Sequence, residues 1–314
     1  GKPTPCVGRT RELGMLSAAF DECAGEAIAQ AVLVEGVPGL GKSRLRQEFL
    51  ARLEQRGTPK QIWVGHGDPM SSGAPFHIVS QAVRRGLGLA DHEPMPLRRA
   101  KLRARLSRHF SDRELDRVTA FIGELVGVSF PDEGNVQLQA ARQDGVLMGD
   151  QMRRAFENLL EAECRTQPLV LVLDDLQWGD LPTVQLIDVV LRNLADSPFL
   201  VLALARPEVH QLFPSLWSGR VVTRLQLAEL PKKAATTLVR SVLDTISEAR
   251  AEELVTRAAG NAFFLEELIR AEAEGHDRLP DTVLAMVQAR LSALPTDARR
   301  VLRGASIYGR VFSE

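Results

Sequence analysis

The feature that most constrains this chain is a glycine-rich octapeptide that ends in a lysine and a serine, Gly36-Val37-Pro38-Gly39-Leu40-Gly41-Lys42-Ser43. An apolar run at residues 31–34 precedes it, and residues 43–53 that follow have the apolar spacing of one helix face. Glycines at this spacing let successive backbone N–H groups converge on one anion without Cβ clashes. The motif therefore predicts a phosphate-binding loop between a buried strand and the N-terminus of a helix.

The two residues that end the motif indicate that the phosphate belongs to a nucleotide. The ammonium of Lys42 can bridge β- and γ-phosphates, and the hydroxyl of Ser43 can bind Mg²⁺. Arg44 follows in the first helical turn, and we count it with the eight loop residues as predicted to bind nucleotide. A glycine-rich turn without a ligand is the alternative, which the flanking strand and helix disfavour.

Two further polar positions follow apolar runs. The run at residues 169–173 leads into Asp174 and Asp175, and the run at 199–205 leads into Arg206. Ligands of open α/β sheets bind beyond the carboxyl ends of the strands. We therefore predict that Asp174 holds Mg²⁺, that Asp175 polarises an attacking water and that Arg206 reaches the γ-phosphate, so that Lys42, Asp175 and Arg206 are the catalytic residues. The alternatives are an acidic strand end and a surface arginine.

The distribution of apolar runs predicts the fold. Five short runs, with helical patterns between them, predict a doubly wound α/β fold with a parallel sheet of continuously buried strands. They are residues 31–35, 61–65, 169–173, 199–205 and 221–227. We predict a nucleotide-binding domain over 1–228 with a helical insertion at about 69–163, a helical lid over 229–278 and a truncated further domain over 279–314.

Composition excludes several classes of protein. Hydrophobic residues make up 45% and charged residues 25% of the 314 residues, which is ordinary for a globular chain and excludes a disordered one. The net charge of −1 disfavours nucleic acid as a partner, and the basic run at 98–103 reads as a solvated helix face. The apolar runs are far shorter than the ~20 residues that span a bilayer. Three scattered cysteines predict a reducing cytoplasm. A start without an initiator Met or a signal sequence predicts a piece cut from a longer protein.

At these motifs the chain resembles the STAND class of P-loop ATPases (signal-transduction ATPases with numerous domains), within the AAA-like branch. Residues 6–13 are similar to the opening motif of that class, 173–180 to its extended second motif, 205–208 to its first sensor and 260–268 to its lid motif. The resemblance implies an AAA-like sheet, and adenine contacts from Val7, Gly8 and Arg9. It also implies a nucleotide contact from Ala262, where the lid motif usually has proline, and a winged-helix domain that starts near residue 279.

The resemblance also implies a function. Such modules bind ATP or ADP with Mg²⁺, hydrolyse ATP slowly and act as switches beside output and sensor domains of the same longer chain. The outputs include Ser/Thr kinases, nucleotide cyclases and DNA-binding regulators of LuxR type, and the motif at residues 65–69 favours the first two. The alternatives are a ring-forming AAA motor, which needs a nucleotide-dependent oligomer and an arginine supplied in trans, a non-hydrolysing scaffold and a small-molecule kinase.

Overall fold

A parallel five-stranded sheet organises the protein. The computed structural model describes residues 5–71, 73–275, 282, 288, 291 and 294–306. The strands are β1 (Gln30–Glu35), β2 (Gln61–His66), β3 (Leu169–Asp174), β4 (Phe199–Ala205) and β5 (Val222–Gln226). Their order in the sheet is β2-β3-β4-β1-β5. The predicted α/β class and AAA-like P-loop fold are confirmed, and each predicted strand agrees with the structure to within one residue at either end.

The burial of the strands differs from the prediction at the two edges of the sheet. Strands β1, β3 and β4 are buried along their whole length, as expected. In β2 buried and half-buried residues alternate, and in β5 only Leu225 is buried. The expectation of continuous burial was wrong for these two because edge strands have a neighbour on one side only.

Helices alternate with the strands along the chain and fill the segment between β2 and β3. They are α1 (Thr10–Glu26), α2 (Lys42–Gln55), α3 (His77–Gly86), α4 (Met95–Leu106), α5 (Asp112–Val126), α6 (Val136–Gln143), α7 (Gly145–Cys164), α8 (Leu181–Asn193), α9 (Val209–Leu212), α10 (Lys232–Val242), α11 (Glu248–Ala258), α12 (Ala262–Ala273) and α13 (Thr296–Ala305). Helices α3 to α7 occupy the predicted insertion, and their apolar side chains share one core with the sheet. The basic run lies in α4, where Lys101 pairs with Glu93 and Arg103 with Asp116.

Backbone contacts group the chain into two compact units. One comprises residues 1–16, 34–56 and 225–314, and the other residues 17–33 and 57–224. The first contains the glycine-rich loop and an apolar core built by α10, α11 and α12. The second contains β2, β3 and β4. The predicted division at residues 228 and 278 stays a prediction, and most of 279–314 lies outside the described residues.

The thiols are buried to different extents. Cys23 and Cys164 are buried and Cys6 is half-buried, and all three are free. Burial raises the pKa of Cys23 and of Cys164 to about 12, so both stay protonated and unreactive at neutral pH.

Within the part of the chain that the structure describes, none of the helices combines the length and apolar character that crossing a bilayer requires.

Candidate nucleotide site

The glycine-rich loop connects the end of β1 to the first residue of α2. Gly39 and Gly41 have φ angles of 87° and 90°, a left-handed conformation that residues with a Cβ rarely adopt. Gly41 is the N-cap of α2 and has no side chain with which to cap the helix. The first N–H groups of α2 are therefore placed as an anion site requires, beside a left-handed glycine loop and at the positive end of the helix dipole.

Lys42 lies against the loop that precedes it. Its side chain is buried, and Nζ donates hydrogen bonds to the carbonyl oxygens of Gly36 at 2.5 Å and Val37 at 3.2 Å. The ammonium group that we predict to contact the phosphates is thus held among the carbonyls of the same loop. This arrangement fits a loop that binds a polyanion, because the ammonium adds a full positive charge to the partial charges of the amides.

The opening motif contacts the apolar core of α10–α12 and the loop. Val7 packs against the core of α10–α12, and a Cβ at Gly8 would lie 2.6 Å from the Cβ of Ala234 in α10, so only glycine fits. The guanidinium of Arg9 is 5% exposed and pairs with Glu12. Burial raises the pKa of the neighbouring Cys6 thiol, and the negative charge of Glu48 raises it further. The predicted adenine contacts of Val7, Gly8 and Arg9 stay predictions.

Helix α12 reaches the loop through its N-terminus. Asn261 caps this helix, since its side-chain oxygen accepts a hydrogen bond from the N–H of Phe264 at 2.9 Å. The N–H of Phe263 donates to the carbonyl oxygen of Gly39 at 3.0 Å. A Cβ at Gly39 would lie 2.4 Å from the Asn261 amide. Sequence reasoning missed Asn261, although it stood inside the lid motif beside the predicted Ala262.

Ala262 is the first residue of α12, and a proline is expected to be accepted there. Proline suits the first helical position because that N–H has no partner within the helix, and it restricts the unfolded chain. Asn261, the residue before it, has an extended backbone (φ −78°, ψ 107°), as the residue before a proline needs. We expect Ala262→Pro to slow nucleotide release. Stopped-flow displacement of a fluorescent ADP measures it, and an unchanged off-rate would show that this position does not affect retention.

In the second unit, Asp174 ends β3 beside the end of β2. It is 2% exposed, and its backbone oxygen accepts a hydrogen bond from the N–H of Gly67 at 2.7 Å. Its Oδ2 lies 3.1 Å from Nδ1 of His66, the residue opposite it in the β2–β3 register. A buried carboxylate with one oxygen directed at a histidine has a defined orientation, as a metal ligand needs.

A chain of hydrogen bonds joins Asp175 to Arg206. Asp175 has a left-handed backbone (φ 56°), and its Oδ1 accepts a hydrogen bond from Nε2 of Gln177 at 3.0 Å. Oε1 of Gln177 accepts one from the backbone N–H of Arg206 at 3.0 Å. The guanidinium of Arg206 lies over the ring of Trp178, with Cζ 5.7 Å from the centroid. Gln177 thus connects the ends of β3 and β4, a role that sequence reasoning missed.

Two glycines at the end of β2, Gly65 within the strand and Gly67 just after it, are required by close backbone approach. A Cβ at Gly67 would lie 2.3 Å from the carbonyl oxygen of Asp175, and one at Gly65 would lie 2.1 Å from that of Ile78. Any other residue at these positions would displace the Asp175 backbone or α3. Close packing therefore explains both glycines of the motif at residues 65–69, whatever the output domain is.

Comparison with curated proteins finds distant relatives that are much longer than this chain. Adenylate cyclase type 10 of Rattus norvegicus is 21% identical over 270 residues, which cover 85% of this chain and 16% of the cyclase. An uncharacterised protein of Rhizobium meliloti (strain 1021) is 24% identical over 325 residues, which cover 97% of this chain and 30% of that protein. The chain thus spans less than a third of the length of these relatives.

Comparison with solved structures supports the fold. The ORC1 protein of Aeropyrum pernix, solved in complex with DNA, superposes with a TM-score of 0.55 at 13% identity over 97% of this chain and 73% of its own. A STAND protein with a tetratricopeptide repeat sensor from Pyrococcus horikoshii gives a TM-score of 0.46 at 12% identity over 99% and 36%. The likeness to the ORC1 protein, at 13% identity, supports the fold alone.

The family model described as an AAA ATPase domain matches residues 5–202. This match contains the opening motif, the glycine-rich loop and the carboxylates that end β3. Because it covers well over half of the chain and agrees with the parallel sheet and the loop geometry, the chain belongs to the AAA ATPase domain family and is a nucleotide-binding ATPase module.

Proposed function

We propose that this chain is an adenine-nucleotide-dependent switch in a larger cytoplasmic signalling protein, with slow Mg²⁺-dependent ATP hydrolysis. The observation that carries the proposal is the hydrogen bond from the N–H of Phe263 to the carbonyl of Gly39. It joins the lid helix α12 directly to the phosphate loop, so a change in the loop on nucleotide binding changes the support of the lid. The length of the relatives, among them a cyclase, supports the presence of output and sensor domains in the same chain.

We assign binding to residues of the first unit. The loop from Gly36 to Ser43 and the neighbouring Arg44 surround the phosphates with amides and positive charge, and the ammonium of Lys42 moves from the carbonyls of Gly36 and Val37 to the phosphates. Val7, Gly8 and Ala262, together with the backbone of Arg9, form the adenine side of the site. The lid core against which Val7 packs supplies the apolar surroundings that a base needs.

The donor set of the proposed metal ligands fits Mg²⁺. Ser43 offers a hydroxyl and Asp174 a buried carboxylate, and oxygen ligands of this kind suit Mg²⁺. Among the described residues there is no group of three or more His, Cys, Asp or Glu side chains that could hold a metal by themselves. When bound, Mg²⁺ neutralises charge on the phosphates.

For hydrolysis, we propose that Asp175 accepts the proton of the attacking water. Its Oδ1 already accepts a hydrogen bond from Gln177, and giving up that bond before this oxygen takes the proton is one physical reason for slow turnover. Arg206 would report the γ-phosphate by leaving the face of Trp178. A shift of the Arg206 backbone that accompanies this movement would pass through Gln177 to Asp175. The hydrogen bonds from Arg206 through Gln177 to Asp175 would thus connect the end of β4 to the residue that accepts the proton of the water.

Two measurements on the chain of residues 1–314 test this function. We expect calorimetry to show saturable binding of ATP and ADP with Mg²⁺, and ATPase turnover well below about 1 s⁻¹. Turnover per chain should not depend on protein concentration. A steep rise with concentration would favour the ring-forming motor, and binding without any hydrolysis would favour the scaffold. A flat calorimetric trace with every nucleotide would refute a nucleotide switch altogether.

A further inference from the structure

The carbonyl groups of the phosphate loop are held by specific partners in the first unit. The carbonyls of Gly36 and Val37 accept hydrogen bonds from Lys42, and that of Gly39 accepts one from the N–H of Phe263. The carbonyl of Leu40 accepts a hydrogen bond from Nη2 of Arg9 at 2.9 Å. The loop therefore receives its support from the opening motif and the lid as well as from its own lysine.

A held carbonyl determines where the next amide points. In a planar trans peptide the C=O and the following N–H point in opposite directions, and the described residues contain no cis peptide. When Arg9 holds the carbonyl of Leu40, the N–H of Gly41 is turned to the opposite side. Gly41 is the N-cap of α2, so its N–H lies next to the helix amides that form the anion site. Arg9 thus orients one of the donors of the phosphate cradle.

The same guanidinium nitrogen also bonds to the segment that leads into the lid. Nη2 of Arg9 donates to the carbonyl oxygen of Ala228 at 2.8 Å, and Ala228 lies between the end of β5 and the start of α10. Both hydrogens of Nη2 are therefore used by two backbone carbonyls. Nη1 donates to Glu12 at 3.0 Å. These bonds direct the NH₂ group of Nη2 at the backbone and not at a base.

We propose that Arg9 is a positioning residue for phosphate binding, which holds the Leu40–Gly41 peptide in the orientation that the cradle needs and ties it to the segment that enters the lid. This inference rests on the proposed nucleotide site and gives it a regulatory connection. A movement of the lid that pulls on Ala228 also pulls on Arg9 and hence on the Leu40 carbonyl. Phosphate affinity and lid position are then coupled through one buried guanidinium.

The test compares Arg9→Ala and Arg9→Lys with the parent chain, using ligands that separate the phosphates from the base. We expect Arg9→Ala to weaken binding of Mg-ATP and of Mg-pyrophosphate by the same factor, about tenfold, because an ordered donor is lost from both. The affinity of Arg9→Lys for both ligands should lie between those of Arg9→Ala and the parent, because one ammonium cannot reproduce the planar guanidinium that bonds to two carbonyls. The ratio of ATP to GTP affinity should not change. Arg11→Ala is the matched control, since Arg11 lies in the same segment with an exposed side chain.

Each other outcome overturns the assignment. A change in the ATP to GTP ratio with unchanged pyrophosphate affinity would make Arg9 a base contact. A lower melting temperature of the protein without nucleotide, with unchanged affinities for both ligands, would make its role one of stability only. If the parent binds nucleotide while the Arg9 variants keep pyrophosphate affinity, this inference fails and the proposed function stands. If the parent binds neither ATP nor pyrophosphate, both fail.

Discussion

Replacing Lys42 with alanine is expected to weaken Mg-ATP binding by roughly 1.5–3 kcal/mol, which is about one to two powers of ten in the dissociation constant. The loss has two physical sources. The charge-assisted contact with the phosphates disappears, and the carbonyls of Gly36 and Val37 lose the ammonium that bonds to them in the structure. Isothermal titration calorimetry with ATP and with ADP measures the effect directly.

Controls separate the phosphate contact from general damage to the fold. Lys60→Ala removes another lysine whose ammonium donates to a nearby carbonyl, that of Thr58, but which lies outside the loop. Its nucleotide affinity should equal that of the parent. Lys42→Arg keeps the charge but changes its geometry, so it should recover only part of the affinity. A Lys42→Ala protein that binds ATP as tightly as the parent would mean that the loop does not bind the phosphates.

Replacing Asp175 with asparagine is expected to reduce ATP turnover at least about a hundredfold while ATP affinity stays within about twofold of the parent. Asparagine keeps an oxygen that can accept the hydrogen bond from Gln177, so the connection to the backbone of Arg206 is preserved. Only the ability to accept a proton is lost. Single-turnover hydrolysis of radiolabelled ATP, measured with enzyme in excess, isolates the chemical step from product release.

Two comparisons make this result specific. Asp196→Asn makes the same chemical change at an exposed aspartate of the same unit and should hydrolyse at the parental rate. Gln177→Ala keeps the carboxylate of Asp175 but removes its hydrogen bond to Gln177 and the link to Arg206. Its rate should differ from those of the parent and of Asp175→Asn. Parental turnover by Asp175→Asn, with ATP still bound, would exclude Asp175 as the base.

Local sequence patterns determined the elements of this protein and the loop between the first strand and its helix. Strand β1 and the glycine-rich loop can be recognised without any distant residue. The apolar run, the glycines, the lysine and the serine that identify them all lie close together in the sequence. The five strands were therefore predicted with limits close to those of the structure. The same holds for the acidic end of β3, since the position of Asp174 follows from the length of the apolar run before it.

Tertiary structure alone decided which strands became edges and which side chains support the loop. The alternation in β2 depends on its place at one end of the order β2-β3-β4-β1-β5, and no local pattern contains that order. The bonds of Arg9 to Leu40 and Ala228 join residues that are 31 and 219 positions apart along the chain. Gln177 and Asn261 gain their roles in the same way. Hydrogen bonds between residues so far apart in sequence form only when distant segments pack. The residue types determine which groups can donate or accept, and the tertiary structure determines their partners.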